Sequence, residues 1–202
     1  MANAYSAGLM SQSFWFIEFK KLVSAVKAEM AADEIKTLCV EENWFGAVNS
    51  YRSKRMYGYI INRVKSMDDD LIDIFISSDV ATQKLIDLIC IMKTDRLFFE
   101  FVYEIYRDKI ILGNDKISTN DVSMFFVNKA NQYDEISAWK DSTIKHLKST
   151  YMNFLTESGL AMNINNNKAV KQITPPFIDT ILESYLNNNN DLAVIKALTG
   201  VN

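Results

Sequence analysis

Residues 141–173 read DSTIKHLKSTYMNFLTESGLAMNINNNKAVKQI, and a change of hydrophobic period inside this stretch decides the fold. Over 142–158, Ile144, Leu147, Tyr151, Phe154 and Leu155 recur at helical spacing and form one apolar stripe. Asp141 is placed to cap that helix and Gly159 to end it. Leu160, Met162 and Ile164 then alternate with smaller or polar residues, Asn165–Asn167 supply a turn, and residues 168–173 make a second short run carrying Val170 and Ile173. Alternation, turn and alternation predict a β-hairpin. Upstream, Val122, Phe125, Phe126 and Lys129 predict a helix over 121–132, capped by Thr119 or Asn120, and 133–140 reads as irregular or as a single turn. Helix, helix and hairpin is the order of a winged helix. Opposite the apolar stripe, Ser142, Lys145, His146 and Ser149 face outward, with Lys148 on the shoulder. The lysines of 140–173 are Lys140, Lys145, Lys148, Lys168 and Lys171, against Asp141 and Glu157.

Working outward, 114–118 is a polar break and a candidate boundary, giving an N-terminal helical lobe over 1–113 and a C-terminal lobe over 114–202. The N-terminal lobe divides into helices over about 11–30, 33–43, 51–67, 80–93 and 96–111, with a further helix opened by Asp68-Asp69-Asp70, whose acids suit the positive end of a helix dipole. Gly113-Asn114 stops the last of them. After the hairpin, Pro175-Pro176 bars helix entry until Phe177. The helix over 51–67 carries Arg52, Lys54, Arg55, Arg63 and Lys65 and no acid. Its stripe of Met56, Ile60, Val64 and Met67 is the buried side, Ser50 the expected cap, and Arg52 and Arg63 lie on the shoulder of the outward face. A short helix, a connection containing Gly46 and a basic helix make the layout of a helix-turn-helix, although the seven-residue connection 43–49 is longer than the usual turn. Lys and Arg at such a surface replace the counterions condensed on phosphates, and polar side chains near a helix start can reach base edges.

Composition narrows the classes further. The 202 residues are 49% hydrophobic and 23% charged, with 6 Gly and 2 Pro, a globular mix with too few chain breakers for an all-β fold. Lys and Arg number 22 and Asp and Glu 25, for a net charge of −3, so any grip on a polyanion must be local. Cys39 and Cys90 sit in apolar helical contexts and read as buried free thiols of a reducing compartment. A single histidine, His146, and no paired cysteines argue against a metal site. Glycines are scattered singly, without a phosphate loop, and no nucleophile sits in an elbow or triad setting. No catalytic residue, metal or cofactor is expected. No stretch approaches the ~20 apolar residues of a membrane span, so a cytoplasmic location is expected. Trp15, Trp44 and Trp139 read as packing anchors.

Tyr5–Leu9, Ser50–Arg55, Ile91–Leu97, Leu112-Gly113-Asn114 and Asp141–Lys145 resemble, in this order, the BrxA proteins of bacterial BREX phage-defence systems, over about residues 5–160. The resemblance implies a mainly α, NusB-like fold bearing two helix-turn-helix elements, the second followed by a small β-hairpin wing. It also implies a non-catalytic accessory that binds double-stranded DNA and works with other BREX proteins. On both grounds Arg52, Lys54, Arg55, Arg63 and Lys65 are expected at one DNA-binding surface. Lys140, Ser142, Thr143, Lys145, His146 and Lys148 are expected at another, with Lys168 and Lys171 following along the wing. Two unequal modules need no palindrome, so a monomer is expected. A protein-protein scaffold within the same defence complex, and an RNA-binding module of NusB type, are the alternatives.

Overall fold

Residues 4–164 and 167–201 are described by a computed structural model. The chain is mainly helical, with one small antiparallel sheet. After a 3-10 turn at Gly8–Ser11 come α1 (Phe16–Lys27), α2 (Ala32–Val40), α3 (Ser50–Val64), α4 (Asp69–Ser77) and α5 (Val80–Thr94). A long rod follows, made of α6 (Arg96–Phe101), a π-helical turn at Val102–Tyr106 and α7 (Arg107–Ile111). Then come β1 (Lys116–Ser118), α8 (Thr119–Gln132), the single-turn α9 (Asp134–Ser137), α10 (Asp141–Glu157), β2 (Ala161–Ile164), β3 (Asn167–Ile173), α11 (Thr180–Asn188) and α12 (Leu192–Thr199).

The two helices and hairpin expected over 121–173 are present, and a third strand joins them. The sheet order is β1-β3-β2, with Ile117 opposite Lys171 and Asn163 opposite Lys171 from the other side. The stretch 114–118 is therefore a strand rather than a simple break. Three residues with one apolar member, Ile117, are too short to show alternation. The turn expected at Asn165 and Asn166 lies outside the described residues.

Caps fix the helix starts, one residue from where the sequence suggests. Asn49, not Ser50, opens α3 by accepting from the Arg52 amide at 2.8 Å. Ser118, not Thr119 or Asn120, opens α8 through a reciprocal capping box with Asp121, which satisfies two otherwise orphaned amides. Asp68 caps α4 through the Leu71 amide, as its acid run suggests. Asp141 lies inside α10, whose cap position, Lys140, makes no side-chain cap bond. The first helix is shorter than its period implies. Trp15 takes a left-handed conformation (φ 50°), and this separates Ser13-Phe14 from α1.

One hydrophobic cluster runs from Leu9 and Phe19 through the α5–α6 stretch to Phe125, Phe154 and Leu198. Its centre is aromatic. Phe98 and Phe101 meet Tyr151 at ring-centroid distances of 5.0 and 5.1 Å, and Phe98 meets Phe154 edge-on at 5.6 Å. The rod of α6 and α7 is thus packed directly against α10 and fixes which face of α10 remains outside. Cys39 and Cys90 are buried and free, and burial pushes their thiols up to about 11 and about 12. The three tryptophans are partly buried against the same cluster.

Candidate nucleic-acid interface

The outer face of α3 presents Tyr51, Arg52, Lys54, Arg55 and Lys65, all exposed, while Ser53, Met56 and Ile60 turn inward. Ser53 donates to the Cys39 carbonyl and so ties α3 to α2. The loop between them is shaped by Asn43, whose side chain bonds both the amide (2.7 Å) and the carbonyl (2.8 Å) of Ala47. Arg55 lies 5.8 Å from the Tyr51 ring centre, a cation-π contact that holds the guanidinium near the start of the helix.

Arg63 departs from the expected surface. It is 2% exposed and donates to the Phe14 carbonyl (2.6 Å), the Ser13 carbonyl (3.1 Å), Gln12 Oε1 (3.0 Å) and Asp87 Oδ1 (3.3 Å). A position on the shoulder of an apolar stripe can turn either way, and a buried carboxylate with three extended-chain acceptors draws this guanidinium inward. Arg63 is therefore buried as a clamp on residues 12–14 and does not lie on the outward face of α3 where it is expected. Burial pushes the Asp87 carboxyl up to about 7, against the pull of Arg63.

On α10, Ser142, Lys145, His146, Ser149 and Asn153 are exposed and Thr143 and Lys148 half-buried; Lys140 is exposed just before the helix. Lys145, Lys148, Ser149 and Asn153 line an open groove of about 930 Å³ with Thr119 and Ser123 of α8 and Asn163 and Lys171 of the hairpin. Lys148 donates to Ser123 Oγ at 3.1 Å. Lys171 also departs from expectation: it does not follow the outside of the wing but is 6% exposed on the inward face, donating to Asn163 Oδ1 at 2.6 Å. Burial lowers its pKa. The Lys168 side chain lies outside the described residues.

The two basic surfaces adjoin. A hollow of about 240 Å³ beside α3 is lined by Arg52, Arg55, Gln12, Ser13 and Trp15. A second, of about 620 Å³, is lined by the same Gln12, Ser13 and Trp15 together with Asn153 and Glu157 of α10. Asn153 and Glu157 in turn line the α10 groove. Three hollows that share walls make one track from α3 across residues 12–15 to α10 and the wing. Asn153 could have been found from sequence, because it continues the outward spacing of Lys145 and Ser149; the 12–15 segment carries no periodic signal.

Carboxylates share this track with the cations: Glu18 and Glu157 border the middle hollow, and Glu157 also borders the α10 groove. The ion pairs among the described residues engage Lys27, Arg63, Lys93, Arg96, Arg107, Lys109 and Lys129. None of them involves Arg52, Lys54, Arg55, Lys65, Lys145, Lys148 or Lys171. Among the described residues there is no group of three or more His, Cys, Asp or Glu that could hold a metal ion, and no helix long and apolar enough to cross a membrane.

A family profile described as BrxA matches residues 3–190. A BREX protein BrxA from Bacillus cereus (strain H3081.97) is 30% identical over 198 residues, covering 98% of each chain. Among solved structures, an uncharacterized protein from Magnetospirillum magneticum superimposes with a TM-score of 0.80 at 20% identity, covering 98% of this chain and 99% of that one; this likeness speaks to the fold.

Proposed function

The chain belongs to the BrxA family and is a component of a BREX defence system, and from that premise we propose that it is a non-catalytic, duplex-DNA-binding accessory of that system. The observation that carries this reading is the set of exposed cations on α3 and α10 that no ion pair among the described residues engages, beside hollows that share lining residues. Arg52, Lys54 and Arg55 hold one backbone segment. Lys145 and His146 contact another, beside Ser142, Ser149 and Asn153, whose hydroxyl and amide groups suit base edges or phosphates. The helix–helix–hairpin unit acts as a winged helix with α10 as its reading helix. Two unequal surfaces on one chain need no two-fold symmetric site, so a monomer suffices.

The test is duplex binding by fluorescence anisotropy across a salt series. With about six phosphates neutralised, log affinity falls against log salt with a slope near −5. Arg52→Glu with Arg55→Glu, and separately Lys145→Glu, each weaken binding and flatten the slope. A salt-independent affinity, or charge reversals that leave it untouched, refutes the reading. Structured RNA competing better than duplex DNA would favour the RNA-binding alternative, since the A-form major groove does not admit a helix. Unchanged DNA affinity with lost assembly of other BREX proteins would favour the scaffold.

A further inference from the structure

Lys171 occupies the middle of β3 where an apolar residue would be at home. Its cross-strand neighbour Ile117 is fully buried, and directly opposed residues share a face of the sheet, so the lysine points beneath the wing, toward the α10 groove that it lines. Its ammonium carries three donors and meets the neutral amide oxygen of Asn163. None of the ion pairs among the described residues reaches it. Lys171 is 6% exposed and borders the open groove, and a cation so placed without a counter-charge is positioned to receive an anion.

The rest of the groove fits the same visitor. Lys145 and Lys148 are neighbours one turn apart on α10, and Lys148 is occupied by the Ser123 hydroxyl. Thr119, Ser123 and Ser149 add hydroxyl donors. Among the described residues, Glu157 is the one carboxylate on the lining. At 1.5 Å rise per residue it lies about 18 Å along α10 from Lys145 and about 14 Å from Lys148. Lys145 and Lys148 are therefore separated from it along the helix.

We infer that this groove is a seat for a single phosphate group, a phosphodiester of the bound duplex that enters between α10 and the wing. Lys171 forms its floor and Lys145 and Lys148 its sides. The source of the phosphate rests on the duplex reading above; the chemistry of the seat does not.

A set of duplexes, each with one neutral methylphosphonate linkage, measured against wild type and Lys171→Met, tests this. One linkage is expected to weaken wild-type binding about tenfold on neutralisation and to leave Lys171→Met unchanged, a coupling of about 1.4 kcal/mol. Lys145→Gln, an exposed change, weakens binding of the unmodified duplex and shrinks the penalty at the same linkage. Lys171→Met is expected to melt at or above the wild-type temperature, because an uncompensated buried charge becomes apolar volume. Duplex binding with no linkage coupled to Lys171 overturns the seat and leaves the duplex reading standing. Absence of any duplex binding by wild type at low salt overturns both. Binding of inorganic phosphate that needs Lys171, seen by phosphorus NMR, with no coupled linkage, identifies a free anion as the ligand and overturns the phosphodiester assignment.

Discussion

Replacing Arg63 by alanine separates a structural cation from a DNA-binding one. The guanidinium and its partner Asp87 are 2% and 0% exposed in their side chains. Removing the arginine strands a buried carboxylate, which costs about 3–5 kcal/mol where one partner of a buried pair is lost. It also strips the donor from the Phe14 and Ser13 carbonyls, each about 1–3 kcal/mol where water cannot replace it. Equilibrium unfolding in urea should therefore place Arg63→Ala at least about 3 kcal/mol below wild type, a large share of a typical domain's stability. The double variant Arg63→Met with Asp87→Leu removes the stranded charge, so it should recover more than half of that loss. The remainder reports the orphaned carbonyls of residues 12–14. Hydrogen exchange should quicken at the start of α1 in both variants, because the clamp on the preceding segment is gone. An Arg63→Ala variant that unfolds within about 1 kcal/mol of wild type yet loses DNA affinity would return Arg63 to the binding surface and refute the reasoning.

Three further outcomes follow from local geometry. Ser118→Ala breaks the capping box of α8 and should cost about 1 kcal/mol in thermal or urea unfolding. Gly200→Ala combines a φ of +72° with a new Cβ 2.7 Å from Ile110 Cγ2; it should lower stability by more than about 1 kcal/mol, and an unchanged melting temperature would contradict the packing of the C-terminus on α7. Burial works to raise the Glu100 carboxyl, but hydrogen bonds from Lys129 and Arg96 outweigh it and hold it below the usual range. The folded state therefore binds fewer protons there than the unfolded chain. Its contribution is present above about pH 4.3 and fades as pH falls through the depressed value, so the stability gap between wild type and Glu100→Gln should shrink on acidification.

Long periodic segments were readable because their burial pattern is written in the sequence. α10 shows its apolar stripe over about three turns, and Phe154 and Tyr151 of that stripe do meet the centre of the cluster. What escaped was decided by tertiary neighbours. Arg63 lies at a helical position compatible with either face, and Asp87 together with the acceptors of residues 12–14, all distant in sequence, draws it inward. Alternation does not say which side of a hairpin is covered, so the sequence alone does not turn Lys171 inward; it stands opposite the buried Ile117 of β1, a strand too short to announce itself. The structure starts α1 later than its hydrophobic period, which continues through Phe14 and Trp15, because the Arg63 clamp and a left-handed Trp15 break the helix there.

Part of the acidic total is compensated where carboxylates are used in pairs and caps. Lys109 and Lys129 are tied to Asp121, Glu100 and Glu104 at 2.6–2.7 Å; Asp68, Asp79 and Asp95 accept from helix-start amides. These acids are spent on caps and pairs, and their fields are largely compensated at short range. The screening length at physiological salt is about 8 Å, so a phosphate beside α10 responds to Lys145 and Lys148 far more than to the formal charge of the whole chain. Net charge then governs approach, and the local cations govern docking: the unpaired side of the molecule is favoured and the remaining surface repels. On that account, raising salt should weaken binding through the track while also relieving the repulsion. The salt dependence of a Glu157→Gln variant should be nearly that of wild type with higher affinity throughout, since Glu157 is the carboxylate shared by the two hollows on α10.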